Sequence, residues 1–410
     1  MDPIRSRRSW VAVCALVSCA AFTGGCGAPT LAERRGSATP AVEALRKGSF
    51  DDAAQRAADV LDADPDNPQA LLVRAIVRYR KTQQQLVLDG RTTVLGGITG
   101  GINAKHLRAA AEQAESELAA VEADLAEVAE ARDVSLELCL ACWQNVDWTG
   151  DGRVDRRDRL LLQIETDEKG EPIPDDDPRR TPTFRFDDGD VAWARAFVGF
   201  ERAALDLVLA YDWSGLDGVI AERGPRRAAI VVRLTDKGRV SAARQRILEG
   251  LGQSDAARRA YLAETDDDRE WVPSPRQKNH PMPLPVDQAL YDTWAGVVGD
   301  LQRLVRGEEG IAVADLAALL DERDLAGVRG YIDVGAMLSK PRDITLDERE
   351  LRRLDRGVDV PTALRSVFGD YYVDRMRPSP LPKRLSRMKG EVDAHQEEIE
   401  HKLRYLFWLN

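Results

Sequence analysis

Between His106 and Arg132 the apolar residues fall at Leu107, Ala110, Ala114, Leu118, Val121, Leu125 and Val128. Steps of three and four place them in one stripe along a helix of about seven turns. Such a stripe has to be buried against other elements, and the chain supplies partners of the same kind. Val191 to Tyr211 carries Trp193, Phe197, Phe200, Leu205, Val208 and Leu209 and is apolar nearly all round. It reads as a central core helix, because Arg195, Glu201, Arg202 and Asp206 interrupt it too often for a membrane span. Leu290–Val305 and Ile311–Leu320 read as further helices. A charged helix runs from Arg384 to Leu409, and its apolar end, Tyr405 to Leu409, should dock on the body. The expected fold class is mainly α, an irregular multi-helix bundle.

The N-terminal part of this bundle has its own punctuation. Gly48 ends one helix, small Ala53 and Ala57 let helices approach closely, and Pro65 forbids continuation. Gly48-Ser49-Phe50-Asp51-Asp52-Ala53, then Ala57, Leu61 and Asp64-Pro65-Asp66-Asn67, resemble a tetratricopeptide repeat over about residues 40–80. Pro68 to Arg80, with Ala75 at the small position, looks like the first helix of a following repeat. The resemblance implies an N-terminal helical hairpin that docks on the later helices and a surface of the kind that binds protein.

Residues 147–158, between two apolar flanks, are rich in oxygen donors. Asp147, Thr149, Asp151, Asp155 and Asp158 offer side-chain oxygens, and Gly152 permits a sharp turn. An acidic Asp/Gly surface turn is the plainer reading. The register of all these positions resembles the calcium loop of the EF-hand family, in its dockerin-like form ending in Asp. The resemblance implies Ca2+ held by Asp147, Thr149, Asp151, the Arg153 carbonyl, Asp155 and Asp158, with Val154 packing the loop onto its helices. Asp158 is one methylene shorter than the usual Glu, so the expected affinity is weak, on the order of 10⁻⁴ to 10⁻³ M. Val134–Trp143, with Leu136, Leu140 and Trp143 on one side, is the expected incoming helix, and Leu160 to Ile164 starts the outgoing one. Asp187, Asp188 and Asp190 cap the next helix, and a second calcium site there is the alternative.

Charge and cysteines address location. The chain has 410 residues and a net charge of -11, and its first 25 residues are net positive through Arg5, Arg7 and Arg8. The acidic remainder lacks the clustered Lys and Arg that nucleic acid requires. The basic start, the apolar core Trp10 to Phe22 and Thr23-Gly24-Gly25-Cys26 look like a bacterial lipoprotein signal. That resemblance implies lipidation at Cys26, with Cys19 as the other candidate, and anchoring in the outer membrane facing the periplasm or cell surface. Cys139 and Cys142 lack the flanking His of haem attachment and the further ligands of a zinc site. A local disulfide or two thiols remain. An i,i+3 bridge inside a helix is strained, which favours thiols or a frayed helix end.

The expected organisation is a signal peptide at 1–25, a tether at 26–39, the repeat region at 40–90, a helical region with the calcium loop at 103–265, and a Pro-rich wrap with C-terminal helices at 266–410. Val94–Ile102, rich in glycine, reads as a flexible loop, Phe184–Phe186 as a short strand, and Gly330–Gly335 as an irregular turn. The function this suggests is a lipid-anchored, calcium-binding scaffold for other proteins of the cell envelope. The rival is an envelope hydrolase using a carboxylate site among the abundant Asp and Glu; against it, no Ser/His/Asp set or Gly-x-Ser-x-Gly occurs.

Overall fold

A computed structural model describes residues 37–100, 104–131, 134–139, 142–143, 146–147, 152–155, 158, 167, 171–174, 176–216, 229–265, 269–278, 287–320, 322, 325–347, 364–365 and 367–394. The N-terminal segment read as a signal, with Cys19 and Cys26, loop residues Thr149 and Asp151, the expected outgoing helix from Leu160 and the chain end from 395 lie outside the described residues.

Helix α1 (Thr39–Arg46) turns at Gly48 into α2 (Phe50–Ala63), and Asn67 opens α3 (Pro68–Gly100). At Gly48, φ is 69°, and the amides of Gly48 and Ser49 return to the carbonyls of Leu45 and Ala44. The side chain of Asn67 accepts from the Ala70 amide at 3.1 Å, while Pro68 sits where no intrahelical donor is needed. Ala41, Ala44, Ala53, Ala57 and Ala70 are all buried, so the three helices pack at backbone distance. The expected helical hairpin is therefore present.

Helix α4 (Ala104–Ala131) buries Ala114, Leu118, Val121, Leu125 and Val128 of the stripe read from the sequence, while at its start Ala111 is buried and Leu107 and Ala110 are only half-buried. It is tied to α3 by a two-pronged bond from Arg74 to the buried Asp124, at 2.7 and 3.0 Å. Helix α5 (Asp188–Leu209) lies between α4 and α6 (Lys237–Ala263). Its charged residues reach across these two contacts: Arg202 pairs with Glu115 and Glu122 of α4, and Asp206 with Arg239 and Arg246 of α6. Where α5 and α6 cross, a Cβ on Gly250 would stand 2.7 Å from the Phe200 ring and 3.1 Å from the Ala196 carbonyl, so only glycine permits that approach.

The remaining helices are α7 (Gln288–Arg306), α8 (Val313–Leu320), α9 (Val334–Ser339) and α10 (Leu381–Ala394). Small antiparallel pairings knit the connections. Strand β1 (Leu136–Leu138) pairs with β2 (Phe184–Phe186). A second sheet orders β3 (Tyr211–Asp212), β4 (Ala229–Leu234) and β7 (Ile344–Asp347), and a third orders β5 (Ile311–Ala312), β6 (Tyr331–Ile332) and β8 (Tyr372–Val373). The main core joins α1 to α5 with β1, β2 and Trp271, and a second cluster joins Val313, Val328, Ile332 and Tyr372 near the C-terminus. The protein is mainly helical, with ten α-helices among the described residues.

Four local expectations are corrected. Val134–Trp143 is not a helix: Leu136 and Leu138 point into the core from a strand, Glu137 points outward, and Cys139 and Cys142 are joined by a disulfide across a turn. Leu-Glu-Leu satisfies a period of two as readily as a helical one, and pairing with Phe184–Phe186 decides for the strand. The glycine-rich stretch after Val94 continues α3 to Gly100, because a helix already propagated through six turns or so tolerates glycine at a cost of about 1 kcal/mol each. Residues 330–335 form β6 and the capped start of α9, where Asp333 accepts from the Ala336 amide. Ile311 lies in β5 rather than in the helix after it.

Candidate metal centre

The start of α5 is built around acidic caps. Asp187 is extended and its Oδ1 accepts from the Gly189 amide at 2.8 Å, while Asp190 Oδ2 reaches back to the Asp187 amide at 2.9 Å. The capping expected of these residues is thus present, and two amides that the helix leaves without intrahelical partners are satisfied. Asp190 Oδ1 accepts from the buried hydroxyl of Tyr261, 2.8 Å away. Tyr261 comes this close because position 189 is glycine: a Cβ there would lie 2.7 Å from the tyrosine ring.

Two further carboxyls converge on this corner. Glu264 is the residue that ends α6, one turn after Tyr261. Glu270 arrives on the extended segment beyond it, where the Arg185 amide of β2 donates to the Arg269 carbonyl at 2.8 Å and the Arg185 backbone bridges to that of Glu270. Trp271 holds that segment down, packing edge-on to Phe184 with centroids 4.7 Å apart. Behind Glu264, Gln277 donates to its Oε2 at 3.4 Å, and Tyr291 donates to the Pro273 carbonyl at 3.0 Å.

Carboxylate oxygens of Asp187, Glu264 and Glu270 lie within 4.8 Å of one another, and Glu270 is only 1% exposed. Like charges this close in a desolvated place oppose ionisation. Burial, then the charges of Asp187 and Glu270, push Glu264 up to about 9. Burial likewise raises Asp187, and it raises Asp190 well above the ordinary range, with the Asp187 charge adding to the effect. Near neutral pH such a group has two ways to be at ease: it keeps protons, or it trades them for a cation. All donors are oxygen, which suits a hard ion such as Ca2+ or Mg2+.

The 147–158 loop is arranged differently. Gly152 has φ 81°, and its amide donates to Asp147 Oδ2 at 2.7 Å. The Asp147 carbonyl accepts from Gln84 of α3. Asp158 is buried and accepts from the Asp155 amide at 2.8 Å, while Arg153 is exposed. Val154 is also exposed, at 36%, and does not pack on helices as expected. Among the described residues the three-carboxylate group is Asp187, Glu264 and Glu270, and the loop contributes to none. Of the Asp187, Asp188 and Asp190 triplet, Asp187 joins the group. Asp188 instead accepts from the Val134 amide at 3.3 Å, and Asp190 serves Tyr261.

Sequence reasoning named Asp187 as a possible ligand and missed Glu264 and Glu270. No spacing rule links them, since the length of α6 separates both from Asp187 in sequence. The one local signal was the acidic run beginning after Glu264. No protein-family model matches the chain, and neither a curated protein nor a solved structure matches it. Among the described residues no helix is long and apolar enough to cross a membrane.

Proposed function

We propose that the chain is an exported, lipid-anchored helical scaffold at the bacterial envelope, held in shape by calcium and docking other envelope proteins. The observation that carries the reading is the convergence of Asp187, Glu264 and Glu270, each from a different segment, within 4.8 Å. A divalent ion there clamps the start of α5 to the end of α6 and to the segment after it. That is a structural task, and it suits a calcium-rich exterior. The 147–158 loop is the second cation site in this reading, supported by the turn at Gly152 that draws an amide onto Asp147. For partners, a groove of about 410 Å³ runs between α2, α3 and α4, lined by Arg74, Arg78, Lys81, Gln85 and Glu117. Anchoring through Cys26 rests on the signal-like N-terminal sequence.

The test is calorimetric titration of the full chain with calcium, beside Asp187→Asn, Glu264→Gln, Asp147→Ala and Asp151→Ala. Loss of one heat signal in the first pair and another in the second supports two sites. Parent protein that neither binds calcium nor gains melting temperature from it removes the reading. A second reading, an envelope hydrolase, has one observation in its favour: Glu264, raised to about 9, holds a proton beside another carboxyl, as a general acid does. Turnover that disappears in Glu264→Gln while calcium binding persists would favour it.

A further inference from the structure

A cavity of about 170 Å³ lies where α3, α4, α5 and β1 meet. Trp143, Trp193, Phe197 and Phe186 give it ring-sized faces, with Ala75 on its α3 side and Ala194 on its α5 side. Three of these rings are held from behind by the fold. The Trp143 indole is tied to the Leu45 carbonyl. Trp193 stands edge-on to Trp294 with centroids 5.3 Å apart, and Phe186 leans on Trp271 at 5.4 Å. A guest therefore meets walls already in place, and little ordering is needed to receive it.

Among the described residues, its hydroxyl-bearing or ionisable linings are Tyr79, Arg80 and Asp190, and each has partners within the protein. Tyr79 donates to Glu201 at 3.2 Å and accepts from Gln83 at 2.6 Å. Arg80 donates to Gln83 at 3.2 Å, lies 5.8 Å from the centre of the Trp143 ring and is attracted by the Glu201 carboxylate. Asp190 holds the Tyr261 hydroxyl and the Asp187 amide. A charged guest would leave water and then either stay unpaired or break one of these contacts, and both are costly. An uncharged apolar guest requires no bond and disturbs none. Size narrows the choice further. A dry apolar cavity of about 150 Å³ takes up benzene, so this one fits a single six-membered ring, and the flanking rings offer it edge-to-face contact.

We infer that this cavity is a binding site for a small, uncharged, single-ring aromatic molecule. None of Asp187, Glu264 and Glu270 lines it, so the site stands independently of the proposed metal centre.

Calorimetric titration of the full chain with toluene, benzoate and benzamidine tests this. Toluene should bind saturably. Benzoate and benzamidine carry a charge on the same ring and should each bind at least about tenfold more weakly. In Ala75→Leu the added carbons fill the cavity from α3 and leave the polar contacts in place. Toluene binding should then vanish while the helical circular-dichroism spectrum persists. No saturable binding of toluene, binding of benzoate or benzamidine within that tenfold of toluene, or undiminished toluene binding in folded Ala75→Leu would each overturn the assignment. Should Ala75→Leu fail to fold, Ala194→Leu takes its place, at a half-buried position on the opposite wall. The same loss is expected of it, and undiminished binding there overturns the proposal.

Discussion

The indole Nε1 of Trp143 donates to the main-chain carbonyl of Leu45 at 2.8 Å, across a sequence separation of 98 residues. This bond pins the segment after β1 onto the last turn of α1, and the edge of Phe50 closes over it with ring centroids 5.2 Å apart. Trp143→Phe keeps most of the ring and removes the donor. The Leu45 carbonyl keeps the Gly48 amide but loses its second donor, which should cost about 0.5–1.5 kcal/mol. Urea unfolding monitored by circular dichroism gives the value, and a change below half a kcal/mol or so would show that the carbonyl finds water instead.

Gly48, on the same corner, should be intolerant of a side chain. Its φ is 69°, and an added Cβ would lie 3.1 Å from Val146 Cγ2 and 3.3 Å from the Trp143 ring. Gly48→Ala combines backbone strain with crowding, and a loss of about 1–3 kcal/mol is expected. Gly90→Ala, where no atom lies within 4 Å of the new Cβ, is the control and should leave stability level or slightly higher.

The acidic group sets a pH dependence with a definite sign. Glu264 has an ordinary value of 4.5 and is raised to about 9 in the fold. Its protonated form is the one the fold favours, so its contribution is complete below about 4.5 and is lost as pH rises towards 9. Without divalent cations the melting temperature should fall across that window. Calcium should restore it at pH 8 to 9 and have little effect near pH 5, where protons hold the site. A cation-free melting temperature that does not change between pH 5 and 9 contradicts this.

Asp187→Asn separates the two tasks of that residue. Asparagine still caps α5, but one charge leaves the group. Cation-free protein at pH 8 should become more stable, and the gain conferred by calcium, about 1.4 kcal/mol at ten times the dissociation constant, should shrink or vanish. Differential scanning calorimetry with and without calcium reads both effects. A calcium gain equal to that of the parent would mean that the ion sits elsewhere.

Asp300, on α7, is 1% exposed and accepts from Arg303 and from Arg384 of α10, the latter at 3.0 Å. Asp300→Ala leaves both guanidinium groups without this acceptor. Each arginine side chain is about a third exposed and recovers some hydration, so the expected cost is near 3 kcal/mol, the low end for a broken buried pair. Because Arg384 lies on α10, protection from proteolysis should fall first at the C-terminal helix.

Where burial follows from one element alone, the sequence was a good guide. The stripe of α4, the core character of α5, the Gly48 turn and the Asp187–Asp190 caps all depend on residues within a few positions of each other. Failures came where a distant segment made the decision. Leu136-Glu137-Leu138 became a strand because Phe184–Phe186 was there to pair with it, and Glu264 and Glu270 meet Asp187 only through the course of α6 and the Trp271 anchor. Of the charged residues that argued against a membrane span in α5, Arg202 and Asp206 turn out to be its cross-links to α4 and α6, which no local pattern distinguishes from a solvated face.

One carboxylate at the start of α5 answers to two selective demands. Asp187 begins a helix by holding the Gly189 amide, and it also belongs to a group in which charge is crowded. Inherited changes at this position can release the two demands one at a time. Serine or threonine would preserve the helix and dismiss the charge, while glutamate would keep the charge and spoil the cap. A lineage that abandoned the acidic group while keeping the fold should carry Ser, Thr or Asn at 187 together with neutral residues at 264 and 270.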